Sequence, residues 1–287
     1  MNMEWMAKKN ILIVGLGLMG GSYARALKRL GYQVTALDRS GEAIDYALRE
    51  GIIHEGAAGE NDDLVRSADA IIFALYPRIF PDMVRDHRHL FRPGLIMTDV
   101  TGVKSCIVEE IQALLPEDVE FIAAHPMAGR ELSGVEHSDD RIFRDANYII
   151  VPTEKNTPDG IRWCGMLGRL LGCAKISVLS PQEHDEMIAF VSQLTHCIAV
   201  SLMTCSDNTH LADYTGDSFR DLTRIARIND GMWSELFMMN REPLLASMDT
   251  FLQELTEFRE MLAKGDMEGM RAKMRLSTER RAMFDRK

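Results

Sequence analysis

The most regular feature of the chain is a series of short apolar runs separated by mixed, mostly helical stretches. The runs are continuous rather than alternating, which is typical of parallel strands in a sheet that is covered on both faces. Strand–helix alternation of this kind predicts a doubly wound α/β domain with a mostly parallel sheet. The predicted strands are NILIVG (10–15), QVTALD (33–38), AIIFAL (70–75), LIMTDV (95–100), EFIAA (120–124), NYIIVP (147–152) and ISVL (176–179).

The alternation stops near residue 180, and only helical patterns follow. Ser180, Pro181 and Glu183 are suited to an N-cap, a first-turn proline and the third residue of a capping box, so a helix is expected to begin there. Apolar residues recur at helical spacings between 244 and 262. We therefore predict an α/β domain over 1–179 and an all-helical domain over 180–287.

The stretch 187–205 is long and apolar enough to be considered as a membrane span. Polar residues such as Ser192, Gln193 and His196 interrupt it, and acidic residues flank both ends, so the pattern favours a helix buried on nearly all sides. Together with the apolar stripe of 244–262 it presents more apolar surface than a domain of about 110 residues easily buries. We therefore expect no membrane insertion and a homodimer held by the helical domain.

Composition narrows the class of protein. The chain has a net charge of −10 and a pI near 5.3, which argues against nucleic acid as a partner because phosphate-backbone binding needs a basic face. The five cysteines are odd in number without a CxxC pair, and the N-terminal residues lack an apolar secretory segment. These features predict a cytoplasmic protein with reduced thiols. No zinc-type spacing of histidines and cysteines supports a metal site.

A glycine motif follows the first predicted strand. Gly15, Gly17 and Gly20 form G-x-G-x-x-G, which indicates a dinucleotide-binding fold of the Rossmann type when it joins a strand to a helix. We expect Gly15 to make the tight turn, Gly17 to let the backbone approach a pyrophosphate, and Gly20 to allow close helix–strand packing. The N-terminus of the helix favours the phosphates. The same cofactor site is expected to include Leu18, Met19 and Leu75.

The second predicted strand ends in Asp38, eighteen positions after Gly20. A carboxylate there accepts hydrogen bonds from ribose hydroxyls and repels a 2′-phosphate, so the sequence predicts NAD rather than NADP. Arg39 leaves the alternative open, because an arginine at this position is able to bind that phosphate. A glycine-rich turn without a ligand is the competing interpretation, which the correct order of strand, glycines, helix and acidic residue disfavours.

Candidates for the chemistry lie where predicted strands end, because ligands of open α/β sheets bind outside the carboxyl ends of the strands. His125 follows EFIAA, and Pro126 is expected to end that strand, while Thr101 and Lys104 follow another strand. A neutral imidazole beside a nicotinamide is suited to accept a proton as hydride leaves. A histidine that only caps the strand end through a hydrogen bond explains the position equally well.

The helical half adds a second group of polar residues. Ser192 and His196 are spaced i and i+4, which predicts one face of the buried helix, where they need partners or a ligand. Arg220, Arg224 and Arg227 are spaced i, i+4 and i+7, which predicts one helical stripe. A guanidinium suits a substrate carboxylate, although a solvated basic face paired with nearby acidic residues explains each arginine as well.

Several short motifs occur in a fixed order along the chain. They are GLGLMGGS, Asp38, TDVTGVK (98–104), HPMAGRELSGVE (125–136), EHDEMIAFVSQLTH (183–196) and DLTRIARINDGMW (221–233). In these motifs the chain resembles the prephenate/arogenate dehydrogenases of tyrosine biosynthesis, from about residue 10 to about residue 265. The resemblance implies a dinucleotide-binding domain followed by a helical domain that builds most of a homodimer interface.

The resemblance also implies a reaction, the NAD-dependent oxidative decarboxylation of prephenate to 4-hydroxyphenylpyruvate or of arogenate to tyrosine. Hydride leaves the ring carbon that bears the hydroxyl, and the ring carboxylate departs as CO₂. Aromatisation of the ring makes the step essentially irreversible. The choice between the two substrates stays open.

By position, the resemblance implies roles for individual residues. His125 resembles the catalytic histidine that draws the proton of the substrate hydroxyl. Arg224 resembles the arginine that holds a substrate carboxylate, and Arg227 is included among the substrate-binding residues. His196 and Ser192 resemble residues that line the side-chain end of the pocket.

Two further positions complete the predicted site. Glu131 resembles a pocket-edge acid in the stretch after HPMAG. Many relatives have a Gly-Ser pair where this chain has Thr101 and Gly102, and the resemblance implies that the hydroxyl at this place assists the histidine. Thr101 is the candidate for the same part, with its hydroxyl shifted by one residue.

Two other functions fit parts of the sequence. A β-hydroxyacid dehydrogenase shares the architecture but uses a lysine of the helical domain, and no lysine occurs between Lys175 and Lys264. A non-catalytic NAD-sensing protein needs the glycines and Asp38, but it does not need the two histidines and the arginine together. An assay with prephenate and NAD⁺ separates these hypotheses.

Overall fold

A six-stranded parallel sheet forms the centre of the computed structural model, which describes residues 9–130 and 132–284. Its strands are β1 (Asn10–Val14), β2 (Gln33–Asp38), β3 (Glu55–Ala58), β4 (Ala70–Phe73), β5 (Ile96–Asp99) and β6 (Glu120–Phe121). They lie in the order β3-β2-β1-β4-β5-β6. The strand order reverses between β1 and β4, which is where such sheets bind dinucleotides. The predicted Rossmann-type α/β class is confirmed.

The predicted strand EFIAA is divided between two sheets. β6 ends at Phe121, and a second sheet is formed by β7 (Ala123–Pro126), β8 (Asn147–Val151) and β9 (Lys175–Val178), with β8 antiparallel to β7 and parallel to β9. The chain leaves the first sheet where the side chains of Asp99 and Lys104 bond the backbone of Ala124. His125 therefore lies within β7, opposite Ile149, rather than after a strand. The predicted end of this strand at Ala124 was wrong by two residues, because β7 continues to Pro126.

The edge strand β3 lacks the apolar run that marks its neighbours. Its residues, EGAA, contain no β-branched or aromatic side chain, and it pairs with β2 at the edge of the sheet. Strand patterns in sequence arise mainly from side chains that pack on a pleated surface. A short strand of alanine and glycine therefore escapes prediction.

Among the described residues, thirteen α-helices connect and follow the strands. Eleven of them belong with both sheets to one compact unit, Met1–Asn240, and the last two belong to a second, Arg241–Lys287. The helices are α1 (Leu18–Arg29), α2 (Gly41–Arg49), α3 (Asp62–Ser67), α4 (Ile79–His87), α5 (Ser105–Leu114), α6 (Pro158–Leu170), α7 (Pro181–Ile188), α8 (Leu194–Thr204), α9 (Leu211–Tyr214), α10 (Asp217–Thr223), α11 (Asp230–Met239), α12 (Arg241–Lys264) and α13 (Met267–Arg281). The domain boundary at 179/180 stays a prediction.

Consecutive residues of β1 supply two separate cores, one on each face of the first sheet. Ile11 and Ile13 pack in one core, and Leu12 and Val14 pack in the other. All four side chains are buried. Because successive side chains of a strand point to opposite faces, burial on both faces produces the continuous apolar runs seen in the sequence.

The apolar stretch after residue 180 forms one long helical segment, in which α7 passes through a π-helical turn at Ala189–Gln193 into α8. The predicted capping box is confirmed, since Glu183 N donates to Ser180 Oγ at 3.2 Å and Ser180 N donates to Glu183 Oε2 at 2.8 Å. The expected burial on nearly all sides is wrong for the single chain, because Phe190 is 59% and Val191 45% exposed. By length and composition this segment is also able to span a membrane, which for one helix is weak evidence.

Candidate active site

The glycine motif forms the turn between β1 and α1. Gly15 has φ of +97°, and a Cβ there would lie 2.5 Å from the carbonyl oxygen of Ala74. A Cβ on Gly20 would collide with the carbonyl oxygen of Gly15. Around Gly17, in contrast, an added Cβ meets nothing within 4 Å, and as the N-cap residue of α1 it supplies no side-chain cap. The turn therefore leaves open space beside helix N–H groups, which suits a pyrophosphate.

Asp38 ties the end of β2 to this turn. Its Oδ2 accepts a hydrogen bond from Leu16 N at 2.5 Å, and its Oδ1 accepts one from Ser40 N at 2.8 Å. The carboxylate is partly exposed, and Arg39 beside it is exposed. The carboxylate therefore lies next to the glycine turn, at the end of the second strand, where folds of this type carry the acidic residue that binds a ribose.

The other residues predicted for the cofactor surround the same turn. Leu18 is buried and Met19 is partly buried at the start of α1. Leu75 follows β4, and its Cδ2 lies 3.2 Å from the position of a Cβ on Gly15. Three chain segments that are distant in sequence thus meet at the carboxyl ends of β1, β2 and β4. The assignment of these residues to cofactor binding stays a prediction.

A buried ion pair lies at the carboxyl end of β5. Lys104 Nζ donates to Asp99 Oδ2 at 2.7 Å, and both side chains are fully buried. Lys104 Nζ also donates to the carbonyl of Ala124 at 2.7 Å, while Asp99 Oδ1 accepts from Ala124 N at 3.1 Å. Both backbone polar groups of the residue before His125 are therefore held by side chains. Burial lowers the pKa of Lys104, and the charge of Asp99 opposes that shift.

The hydroxyl of Thr101 belongs to this buried cluster. It donates to the Asp99 carboxylate, lies 3.1 Å from the carbonyl of Val103, and accepts from Lys104 Nζ at 3.2 Å. The side chain is 3% exposed. These contacts support the loop behind His125, and the predicted assistance of Thr101 to the histidine itself stays a prediction.

His125 is paired with a second imidazole that the sequence analysis did not assign to the site. His125 Nδ1 lies 3.0 Å from His184 Nε2, and His184 Nδ1 lies 2.8 Å from Asp185 Oδ1. Asp185 in turn accepts from the backbone N–H groups of Lys104 and Ser105 at the start of α5, at 2.9 and 2.8 Å. His184 and Asp185 are adjacent in EHDEM, but their contact with a residue 59 positions earlier leaves no periodic signal in the sequence.

Both imidazoles are neutral at physiological pH. Burial holds the pKa of His125 well below its usual range, and the neighbouring His184 and Lys104 lower it further. Burial also lowers the pKa of His184, although the hydrogen bond to Asp185 opposes that shift. Burial alone would raise the pKa of Asp185, but hydrogen bonds from His184 and Ser105 lower it overall, so the carboxyl is ionised. A neutral histidine with a depressed pKa is available as a base at pH 7.

Stability should therefore decrease as the pH falls below about 6.5, the pKa of histidine in an unfolded chain. In that range the unfolded chain binds protons that the folded histidines do not, so the free energy of unfolding rises with pH. Urea unfolding between pH 5 and 7 measures the slope. In a variant that combines His125→Asn with His184→Gln the slope should be smaller, and an unchanged slope would contradict the assignment of neutral histidines.

The other predicted polar residues lie on α8 and the π-helical turn before it. His196 Nδ1 lies 2.9 Å from the carbonyl of Ser192, and its ring stacks on Trp233 of α11 with centroids 3.7 Å apart. Gln193, in the same turn, donates to the carbonyl of Leu236 at 3.2 Å. Single π-turns inside α-helices occur frequently at functional sites. Because its ring stacks on His196, Trp233 is a further candidate for the site, as a residue that positions this imidazole. In the sequence, its signal is its place at the aromatic end of the DLTRIARINDGMW motif.

The three arginines do not share a helical stripe, which corrects the sequence prediction. Arg220 lies in α10, Arg224 opens a 3₁₀ turn at Arg224–Ala226, and Arg227 has extended backbone. The α-helix ends at Thr223, so the i, i+4, i+7 spacing does not continue. All three side chains are exposed, and Arg220 lies 3.8 Å from Asp217. The 3₁₀ turn that begins with Arg224 packs on α8, the helix of His196.

Glu131 lies outside the described residues, so its predicted position at the pocket edge has no structural description. Within residues 9–130 and 132–284, no group of three or more His, Cys, Asp or Glu side chains is arranged to hold a metal ion.

Comparison with family models gives two adjacent matches along the chain. Residues 23–169 match the model described as prephenate dehydrogenase, nucleotide-binding domain. Residues 180–276 match the model described as prephenate dehydrogenase, dimerization domain. The two matches together cover most of the chain, and the second begins where the strands end and only helices follow.

Individual proteins give the same result. The chain is 30% identical to prephenate dehydrogenase of Bacillus subtilis over 275 residues, which covers 92% of this chain and 72% of that protein. It is 27% identical to cyclohexadienyl dehydrogenase of Zymomonas mobilis, covering 94% and 97%. The crystal structure of prephenate dehydrogenase from A. aeolicus in complex with hydroxyphenyl propionate and NAD⁺ superposes with a TM-score of 0.89 at 28% identity, covering 98% and 100%.

Proposed function

Because the chain belongs to the prephenate dehydrogenase family, we propose that it catalyses the NAD-dependent oxidative decarboxylation of prephenate to 4-hydroxyphenylpyruvate. The observation that carries the proposal is His125, a neutral imidazole at the end of β7 whose Nδ1 is engaged by His184. It lies one residue from Ala124, which contacts the carboxyl end of β5. The same edge of the sheet bears the open glycine turn. A base and a nucleotide site at one sheet edge suit hydride abstraction coupled to proton transfer.

The glycine turn and Asp38 would hold the cofactor. The open space at Gly17 and the uncapped start of α1 fit a pyrophosphate, and the partly exposed carboxylate of Asp38 fits ribose hydroxyls. The A. aeolicus relative was crystallised in complex with NAD⁺, which supports the same cofactor here. When bound, NAD⁺ supplies the hydride acceptor.

His125 would accept the proton of the substrate hydroxyl as hydride leaves the carbon that bears it. Loss of the ring carboxylate as CO₂ then makes the ring aromatic, and the proton returns from His125 to the same oxygen, now a phenol. Atoms and charge balance without a proton from solvent, since the prephenate dianion loses one hydride and one CO₂ to give a monoanion. The part of His125 is thus to accept one proton and return it within the step, which a ring that is neutral beforehand permits.

The substrate anchors would come from the helical half. Arg224 is the proposed partner of a substrate carboxylate, with Arg227 nearby, because a guanidinium binds a carboxylate through two parallel hydrogen bonds. His196 and Ser192 would line the side-chain end of the pocket, where the stack on Trp233 holds the imidazole. Glu131 remains the proposed acid at the pocket edge. The chain's net charge of −10 makes such local cations necessary for an anionic substrate.

Arogenate is the second candidate substrate, since it differs from prephenate only in carrying an ammonium where prephenate has a keto group. A side-by-side assay of kcat/KM with prephenate and arogenate tests the choice. The proposal expects the higher value with prephenate. A higher value with arogenate would reassign the substrate, and no turnover with either would favour the non-catalytic NAD-sensing hypothesis.

Cofactor preference should depend on Asp38. We expect the wild-type protein to use NAD⁺ in preference to NADP⁺, and Asp38→Ala to lower kcat/KM for NAD⁺ by about 10- to 100-fold, as expected for lost hydrogen bonds to a charged acceptor. Arg39→Ala is the matched control, because it should spare NAD⁺ and weaken any use of NADP⁺. Equal kcat/KM for the two cofactors in the wild type would contradict selection by Asp38 and would indicate that Arg39 binds the 2′-phosphate of NADP⁺.

A homodimer of cytoplasmic chains is the proposed assembly. It is supported by the match of residues 180–276 to a dimerization domain and by exposed apolar side chains, among them Phe190, Val191 and Met203 on α7–α8. Light scattering at micromolar concentration should give twice the chain mass of 32.4 kDa. A monomer at that concentration would contradict the proposal and leave these apolar side chains in water.

A further inference from the structure

The hydrogen bond between the imidazoles of His125 and His184 depends on which ring nitrogen of His125 carries the hydrogen. The neutral imidazole has one N–H and one unprotonated nitrogen, so two neutral rings bond only when a donor of one meets an acceptor of the other. His125 Nδ1 and His184 Nε2 are 3.0 Å apart, which is hydrogen-bond distance. The question is which of the two nitrogens carries the hydrogen.

The position of the hydrogen follows from Asp185, because an ionised carboxylate only accepts hydrogen bonds. Its two oxygens already accept from the backbone N–H groups of Lys104 and Ser105, at 2.9 and 2.8 Å. Its Oδ1 also lies 2.8 Å from His184 Nδ1. The hydrogen of His184 therefore resides on Nδ1, and Nε2 of the same ring is unprotonated.

The direction of the next bond follows. An unprotonated Nε2 of His184 accepts, so Nδ1 of His125 donates and carries the only hydrogen of that ring. Nε2 of His125 is then unprotonated and holds a free lone pair. Asp185, His184 and His125 thus form a hydrogen-bonded relay. The carboxylate of Asp185, at one end of this relay, determines which nitrogen of the His125 ring is basic.

The relay is held firmly enough to maintain this arrangement. His184 is fully buried and Asp185 is 3% exposed, so water does not compete for their bonds. Asp185 lies in α7, where its carboxylate accepts from the backbone at the start of α5 and its own carbonyl accepts from Asn240 Nδ2 at 2.9 Å. The same amide donates to Gln193 Oε1 at 2.7 Å. Bonds from α5 and from Asn240 therefore fix the position of α7, which carries both residues.

We propose that His184 and Asp185 are positioning residues that hold His125 in its Nδ1–H tautomer, so that Nε2 is the nitrogen that takes the substrate proton. The last part of this inference rests on the proposed function, whereas the tautomer is a property of the free protein. During the step Nε2 gains the hydroxyl proton and the ring becomes an imidazolium, with Nδ1–H still bonded to His184. The proton returns to the phenol oxygen, and the relay is restored unchanged.

Two substitutions of His184 separate this role from simple packing. In His184→Gln the amide oxygen is able to occupy the place of Nε2 and to accept from His125, whereas His184→Leu fills the space without an acceptor. We expect His184→Leu to lower kcat by about 10- to 100-fold, as usual when the partner that orients an imidazole is removed. KM and the Kd for NAD⁺ should stay nearly unchanged, and His184→Gln should recover most of kcat. A packing role predicts the opposite order, because leucine suits a buried site better than an amide.

Nitrogen-15 NMR of histidine-labelled protein tests the tautomer without substrate, with His125→Asn used to assign the signals. We expect the ring of His125 to be protonated at Nδ1 and unprotonated at Nε2 in the wild type, and to show mixed tautomers in His184→Leu. A wild-type ring protonated at Nε2 would overturn it, as would equal kcat in the leucine and glutamine variants. If neither prephenate nor arogenate is turned over, the proposed function fails, and the NMR result still decides the tautomer.

Discussion

His125→Asn should lower kcat by about 10²–10⁴-fold, the usual loss when a general base is removed. Asparagine keeps a hydrogen-bonding side chain of similar size, so the contact with His184 and the backbone of β7 should survive. The Kd for NAD⁺ should stay nearly unchanged, because the glycine turn and Asp38 lie on other strands. Steady-state assays with prephenate and a separate NAD⁺ titration measure the two quantities.

A second histidine provides the control for this substitution. His210 is exposed and near Asp213 on the protein surface, so His210→Asn should leave kcat unchanged. If His125→Asn retains kcat close to wild type, His125 only completes the hydrogen bonds at the end of β7, which is the alternative left open by its position in the sequence.

Arg224→Ala should raise KM for prephenate strongly, with a loss in kcat/KM of roughly 30- to several-thousand-fold, as expected when a charged hydrogen bond to a ligand is removed. Arg224→Lys should recover only a small part of the loss, because lysine supplies the charge but not the two parallel N–H groups. The Kd for NAD⁺ and the melting temperature should change little, since the side chain is exposed in a short 3₁₀ turn. Kinetics of both variants, with thermal unfolding, provide the measurement.

The neighbouring arginines are the comparison for this experiment. Arg220→Ala removes a cation that lies 3.8 Å from Asp217, and Arg227→Ala removes one on extended backbone after the turn. Both should affect kcat/KM less than Arg224→Ala. If the Arg224 variants stay within about threefold of wild type, the carboxylate anchor lies at Arg220 or Arg227, or elsewhere.

The parallel sheet was predictable from sequence because burial on both faces makes its strands continuously apolar. β1 demonstrates this, with Ile11 and Leu12 in different cores. β3 was missed because its side chains are small and it lies at the sheet edge. The division of EFIAA between two sheets depends on Asp99 and Lys104, side chains more than fifteen positions away, and no local pattern records such a contact.

The candidate site was only partly predictable for the same reason. Gly15 and Gly20 carry a local requirement on the backbone, which a motif expresses directly. The contact between His184 and His125, in contrast, joins residues 59 positions apart, and no local pattern in the sequence records it. The apolar helix after residue 180 was expected to be buried within its own chain because its sequence is apolar on nearly all sides. An apolar sequence does not show whether the same chain or a second copy covers the helix. Exposed Phe190 and Val191 indicate a surface that a single chain leaves open.

The most direct test of the central claim is the stoichiometry of one reaction. Purified protein is mixed with prephenate and NAD⁺, and NADH is followed by absorbance at 340 nm while CO₂ and 4-hydroxyphenylpyruvate are quantified. We expect equal amounts of all three products from wild-type protein and, in the same time, a small fraction of those amounts from His125→Asn. Absence of NADH with prephenate, or NADH formed without matching CO₂, would contradict it.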